Sequence, residues 1–333
     1  MGKRRLRSQG LSSGLKICLS LGLLAFILKQ VGWRQTWESL QRAQLSYLAV
    51  AFGLCLAGIV VRAYRWRILL AALGMQVPLS RLTALYFIGT FFNNFLPTGI
   101  GGDVVRVYEL AKESERPAES VGTVLVDRAT GLLVLLLMAL AALVFSHRLI
   151  APKVTAAIVF LSLASWGGAG LILQRDWLER WGLLRMVAKI KQLEAVYESV
   201  CACGLRAIGG ALAISIVFNA LLIAVNYLIA LSLGVRISLW YFFLFVPIIS
   251  FLLVLPVSLS GLGVREGGYV YLFAQAGVPA PLALTMSLAF YALNVATGLI
   301  GGVLYALEGA RGILPTRKNY LPGREEAKEG EEK

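Results

Sequence analysis

Two arginines stand at matching places behind two breaks in otherwise apolar sequence. Leu96-Pro97-Thr98-Gly99-Ile100-Gly101-Gly102-Asp103-Val104-Val105-Arg106 and Leu255-Pro256-Val257-Ser258-Leu259-Ser260-Gly261-Leu262-Gly263-Val264-Arg265 share a leucine before the proline, then glycine at the fifth place after it, valine at the eighth and arginine at the ninth. A glycine-rich turn exposes backbone N–H groups, and a helix starting there adds a positive dipole end. With arginine's planar fork nearby, such a turn suits an anionic group such as a phosphate or carboxylate. Asp127-Arg128 and Arg265-Glu266 add ionisable residues beside apolar runs. Ionisable groups are costly there unless paired or facing water, which makes each a candidate site residue. The same residues also admit a plainer reading, in which the turns merely break helices, the arginines snorkel to an interface and Asp127 with Arg128 form an interfacial pair. Arg62, Arg65, Trp66 and Arg67 in VRAYRWRILL read as an inner-face anchor with an aromatic belt residue, or as a grip on lipid head groups.

The elements that position these residues are set by composition. Of 333 residues, 58% are hydrophobic and 15% charged, against roughly 45–50% and about 25% in soluble domains. Apolar runs recur over the whole length, several reaching the ~20 residues that cross a bilayer core. The composition therefore predicts an all-α polytopic integral membrane protein. A basic N-terminus (1–14) precedes apolar segments at 15–28, 45–61, 82–96, 131–145, 154–173, 211–233, 239–255 and 282–307, and a polar tail over 311–333 reads as disordered. No small-residue cleavage site follows the first segment, so it reads as a retained span. Near 177–200, tryptophans and aliphatics alternate with basic residues at helical spacing, the pattern of an interfacial amphipathic helix.

Counting Lys and Arg by loop arbitrates the topology. Eight plain spans would leave 18 basic residues inside and 14 outside. If the segments near 82–96 and 239–255 dip in and return on one side, the split becomes 25 to 7, which the positive-inside bias favours. Pro and clustered Gly at the ends of both segments point the same way, since broken backbone at membrane depth must be buried in protein or line water. The expected architecture is six full spans plus two re-entrant helical hairpins in an inverted repeat, with halves 15–146 and 147–310 and both termini cytoplasmic in the cell (inner) membrane; eight plain spans is the alternative. Paired halves of opposite orientation are typical of secondary transporters, whose sites lie near the midplane at discontinuous helices. Gly298 and Gly302, four apart, suit close helix packing.

Other chemistries find little support. The formal charge of +14 follows from basic loops, and the aromatics sit in apolar runs, so nucleic acid is not an expected partner. Four cysteines and one histidine, His147, form neither a disulfide framework nor a metal cluster, and no cofactor is expected. Cys201 and Cys203 are expected on the cytoplasmic side.

FFNNFLPTGIGGDVVRVYEL, VLVDRATGLL, LPVSLSGLGVREGG and RAYRWRILL resemble the signature stretches of the lysylphosphatidylglycerol synthase transmembrane family, also called the flippase-like membrane domain family, over nearly all of residues 10–310. In bifunctional members this unit moves aminoacylated phosphatidylglycerol between leaflets while a separate soluble C-terminal domain transfers the amino acid. Only a short charged tail follows Leu307 here, so the resemblance implies translocation without aminoacyl transfer. It also implies site roles for Asn94, Pro97, Gly101, Gly102, Asp103 and Arg106, for Asp127 and Arg128, and for Gly261, Gly263, Arg265 and Glu266. The expected function is translocation of an anionic or aminoacylated phospholipid or lipid-linked glycan, with anionic lipid head groups as partners. An integral membrane enzyme or an accessory subunit of envelope lipid synthesis is the alternative, and a homo-oligomer or an envelope-synthesis partner is left open.

Overall fold

The computed structural model describes residues 33–95, 101–146, 151–174, 180, 191–254 and 261–311. The basic N-terminus, the expected first span at 15–28, residues 96–100 and 255–260 of the two Pro/Gly turns, most of the amphipathic segment and the tail beyond 311 lie outside these residues. Among the described residues the chain is wholly helical. In order come α1 (Trp33–Gln41), α2 (Leu45–Ala72), α3 (Leu79–Phe95), α4 (Gly101–Ser114), α5 (Pro117–Ser146), α6 (Pro152–Leu173), α7 (Lys191–Ala202), α8 (Gly204–Ser232), α9 (Leu239–Val254), α10 (Val264–Ala274) and α11 (Ala280–Arg311). Five of them, α2, α5, α6, α8 and α11, are long and apolar enough to cross a membrane.

The remaining apolar elements are hairpins. Helix α3 has 17 residues and α4 has 14, about 25 and 21 Å at 1.5 Å per residue, short of the ~30 Å core. They run antiparallel: Asn93 Oδ1 accepts the Gly102 N–H at 2.8 Å near the tip, and Arg81 pairs with Glu113 at the open end. A Cβ on Gly102 would fall 1.8 Å from the Gly89 carbonyl oxygen, so the two backbones touch there because neither residue has a side chain. Helices α9 and α10 form a second antiparallel hairpin, with Phe242 and Phe245 against Phe273 and Ile249 over Gly268.

Both hairpins are entered by the same turn. Leu73-Gly74-Met75 after α2 and Leu233-Gly234-Val235 after α8 have positive φ at the glycine, +73° and +74°. Their amide bonds also match: Met75 N–H reaches Leu70 O, and Val235 N–H reaches Ala230 O, each at 2.9 Å. These are glycine-terminated helix ends in which glycine takes the left-handed conformation at no steric cost. Helices α2 and α8 are thus corresponding elements, and they pack antiparallel along most of their length, with Gly58 near Phe218, Arg65 bonded to Ser215 and Ile68 near Gly210. Matching helices that run in opposite directions are what an inverted pair of halves would require.

Between helices in lipid there is no hydrophobic drive, so close packing and hydrogen bonds hold the bundle. Gly298, Gly301 and Gly302 of α11 all face α3, where added Cβ atoms would meet Asn94, the Phe87 backbone and the Phe91 ring. The close packing expected from Gly298 and Gly302 is present, and Gly301 is the tightest of the three. Of the amphipathic segment, residues 191–202 form α7, which packs on α5 with Ser199 against Gly122.

The turn into α8 yields a topology test. Cys201 is exposed, whereas Cys203 is buried against α2 and α5, and burial pushes its thiol up to about 11. In a variant with Cys18 and Cys55 replaced by serine, impermeant maleimide at pH 7.5 is expected to label Cys201 only from the cytoplasmic face and to leave Cys203 unmodified. Labelling of Cys201 from outside would overturn the orientation.

Candidate functional site

Hairpin α3/α4, helices α2, α5 and α8, and one residue of α9, Ser250, line an open-sided cavity of about 420 Å³. Its position is deep: Asn219 stands at the middle of the 29-residue α8, and Asp127 is well inside α5. Four guanidinium groups line it, from Arg62, Arg65, Arg106 and Arg128, against two carboxylates, from Asp103 and Asp127. Two positive charges are left over.

Asp127 is the hub. It is 1% exposed, accepts Arg65 Nε at 2.7 Å and Arg106 Nη2 at 3.4 Å, and is bonded by the Tyr86 hydroxyl. Arg65 also donates to Ser215 Oγ at 2.9 Å. Asp103, in the first turn of α4, pairs with Arg106 at 3.2 Å and with Arg128. Such a network survives burial because each carboxylate meets opposite charge; removing one partner would strand the others. Space for the arginines is made by glycines, since a Cβ on Gly131 would sit 2.8 Å from Arg65 Nη1, and one on Gly89 would sit 2.8 Å from Arg106 Cδ. Arg106 lies over the Tyr86 ring at 3.8 Å and the Trp66 ring at 4.5 Å, a placement that favours a cation through the ring quadrupole.

Of the residues singled out in the sequence, Asp103, Arg106, Asp127 and Arg128 come together here. Asp127 and Arg128 pair with other helices instead of forming an interfacial pair with each other. Gly101 and Gly102 are buried at the start of α4, where Asn93 engages the Gly102 amide. Asn94 Nδ2 donates to the Asn294 carbonyl at 3.0 Å and ties hairpin α3/α4 to α11. Gly261, Gly263, Arg265 and Glu266 form a second cluster away from the cavity lining. There Gly261 and Gly263 take positive φ, Glu266 accepts the Gly263 N–H at 2.6 Å and Arg265 Nη2 at 2.6 Å, and Arg265 lies 4.5 Å over Tyr291. The second arginine is thus neutralised by its own neighbour, while the first belongs to a network with surplus positive charge.

The anchor reading of VRAYRWRILL is corrected. Arg62 and Arg65 line the cavity, Trp66 is fully buried with its Nε1 donating to Thr123 Oγ1, and Tyr64 and Arg67 are the exposed residues of the stretch. Arg62 and Arg65 sit one turn apart on one helix face, a signal the sequence carried. Tyr86, Phe218 and Asn219 also line the cavity and were not anticipated. Of these only Asn219, a polar residue in the middle of an apolar run, stood out in type.

Wholly helical over the described residues, with five helices among them long and apolar enough to cross a membrane, two shorter antiparallel hairpins and a charged cavity between them, the chain is a multi-pass α-helical membrane protein. The family model for the lysylphosphatidylglycerol synthase TM region matches residues 14–302, and the chain belongs to that family. It is also 27% identical over 117 residues to the UPF0104 membrane protein PH1989 of Pyrococcus horikoshii, a match covering 34% of this chain and 35% of that protein. The resemblance noted in the signature stretches is thereby borne out.

Proposed function

We propose that the chain is a lipid translocase of the cell (inner) membrane, with both termini cytoplasmic. It would carry an anionic or aminoacylated phospholipid, or a lipid-linked glycan, between leaflets. The observation that carries this reading is the surplus of guanidinium groups in the cavity, four against two carboxylates. A phosphate bound among them would restore charge balance and accept bidentate hydrogen bonds. Short hairpins support it too, because a pair of helices too short to span a bilayer core would let a polar head group be met by protein while its hydrocarbon chains keep to apolar surroundings.

Reconstitution into liposomes, with leaflet exchange followed for a panel of anionic and aminoacylated lipids, tests the proposal. Folded protein with no exchange above empty vesicles for any lipid would count decisively against it. Within an active preparation, Arg106→Ala is expected to slow exchange about 10- to 100-fold, as loss of one charge-assisted hydrogen bond of about 1.5–3 kcal/mol implies. Asp103→Asn is expected to retain exchange, since a carboxylate that only balances charge takes no chemical step; its complete loss with fold intact would favour an acid-base role.

A further inference from the structure

A smaller cavity of about 180 Å³ adjoins the first. Arg62, Thr90, Phe218 and Leu222 line both. The two compartments differ in chemistry. Around the smaller one, aliphatic and aromatic groups of α2, α8 and α11 predominate, and its amide and hydroxyls are spent on their own helices: Asn294 donates to the Phe290 carbonyl, Thr297 to Leu293 and Thr90 to Tyr86. Arg62 is its sole charge among the described residues.

Arg62 is unlike the other three cavity arginines. Those each pair with Asp103 or Asp127. Arg62 instead lies between two aromatic faces, 5.1 Å from the Tyr86 centroid and 5.1 Å from that of Phe218, and its buried Nε has no hydrogen-bond partner. Aromatic faces hold a guanidinium in place without neutralising it, whereas a buried unsatisfied donor carries a penalty that an incoming acceptor removes. The group is therefore fixed, charged and open to an acceptor at the boundary between a polar and an apolar space.

We propose that the two cavities form one amphiphile site: a phosphate monoester or diester accepts hydrogen bonds from Arg62 on the polar side, and the first several carbons of one alkyl chain of the same molecule enter the smaller cavity. This rests on reading the larger cavity as the ligand site. Arg62 then selects for molecules that join phosphate directly to a hydrocarbon chain or its glycerol, and discriminates against free phosphate and against cationic amphiphiles.

The test uses the full-length protein in phosphatidylcholine nanodiscs and radiolabelled dodecyl phosphate, with binding to empty nanodiscs subtracted. Unlabelled inorganic phosphate, butyl phosphate, dodecyl phosphate and dodecyltrimethylammonium serve as competitors. Dodecyl phosphate is expected to compete best, butyl and inorganic phosphate to need at least about tenfold higher concentration, and the cationic amphiphile not to compete. Arg62→Ala should weaken dodecyl phosphate by about tenfold or more. Gly58→Leu, which fills the smaller cavity four residues before Arg62, should bring dodecyl phosphate down to the level of inorganic phosphate. Equal competition by inorganic and dodecyl phosphate, or by the cationic amphiphile, would overturn the proposal, as would the absence of specific binding; the competition series on the unaltered chain decides between these outcomes even if a variant fails to fold. Specific binding without leaflet exchange would instead leave this site standing and refute translocation.

Discussion

Asp127→Ala should cost about 3–5 kcal/mol of folding stability, the range for removing one member of a buried ion-pair network. The cause is the company Asp127 keeps. Arg65 is 3% exposed and Arg106 4%, and both point at this carboxylate from different helices, so its loss leaves two desolvated cations facing each other across a gap with only Asp103 to offset them. Tyr86 loses its acceptor as well. Thermal unfolding in mild detergent should show a large drop in midpoint. The double variant Asp127→Ala with Arg65→Gln should recover part of the loss, because it removes the charge that the first change strands; such coupling separates electrostatics from a simple packing defect. A single variant as stable as the unaltered protein would mean the network is not a structural keystone.

The second large effect is steric. Gly301→Ala is expected to destabilise by about 3 kcal/mol, at the upper end of overpacking costs, and to abolish ligand binding in the cavity. A Cβ there would lie 1.9 Å from the Phe87 carbonyl oxygen and 2.2 Å from its carbon. The obstacle is backbone, so no rotamer change relieves it and α3 must move away from α11. Helix α3 carries Tyr86, Thr90 and Asn93 into the cavity, and shifting it by an ångström would pull the tyrosine from Asp127. Gly53→Ala is the control, since nothing lies within 4 Å of its added Cβ; helix propensity alone predicts a gain of about 0.5–1 kcal/mol there. Equal midpoints for the two alanine variants would show that the close α3/α11 approach is not needed.

Much of the architecture was legible because it rests on patterns of many residues. Both hairpins were announced by a proline and glycines closing an apolar run, and the basic-residue count agreed. That count nonetheless included four arginines that line the cavity. Setting aside Arg62, Arg65, Arg106 and Arg128 leaves 21 against 7 for the hairpin topology, so the orientation signal persists, but it was partly borrowed from the site. The strongest mark of the repeat, Leu73-Gly74 matched by Leu233-Gly234, is a turn of ordinary residues and carries no chemistry to draw attention. The site was legible only where a charged residue interrupted an apolar run. Arg106, Asp103, Asp127 and Arg128 met that criterion. Arg62 and Arg65 admitted both an interfacial anchor and a grip on lipid head groups, because sequence fixes how far along a helix a residue lies but not whether its face meets lipid or protein. Tyr86 and Phe218 were invisible for a different reason, since aromatics are as common against lipid as beside a cavity. Arg265 shows the converse, a motif arginine whose neighbour Glu266 quiets it.

The surplus of guanidinium groups also bears on what must be kept out. Any passage wide enough to admit a phospholipid head group is wide enough for sodium ions and hydronium, whose flow would discharge the energy stored across the membrane. Fixed arginines at mid-depth raise an electrostatic barrier to such cations while lowering it for phosphate, and unlike lysine or histidine they do not lose their charge at any physiological pH. Were the cavity to open toward water or lipid, as the proposed translocation requires, its net charge of two, held among Tyr86, Trp66 and Phe218, would oppose a cation leak.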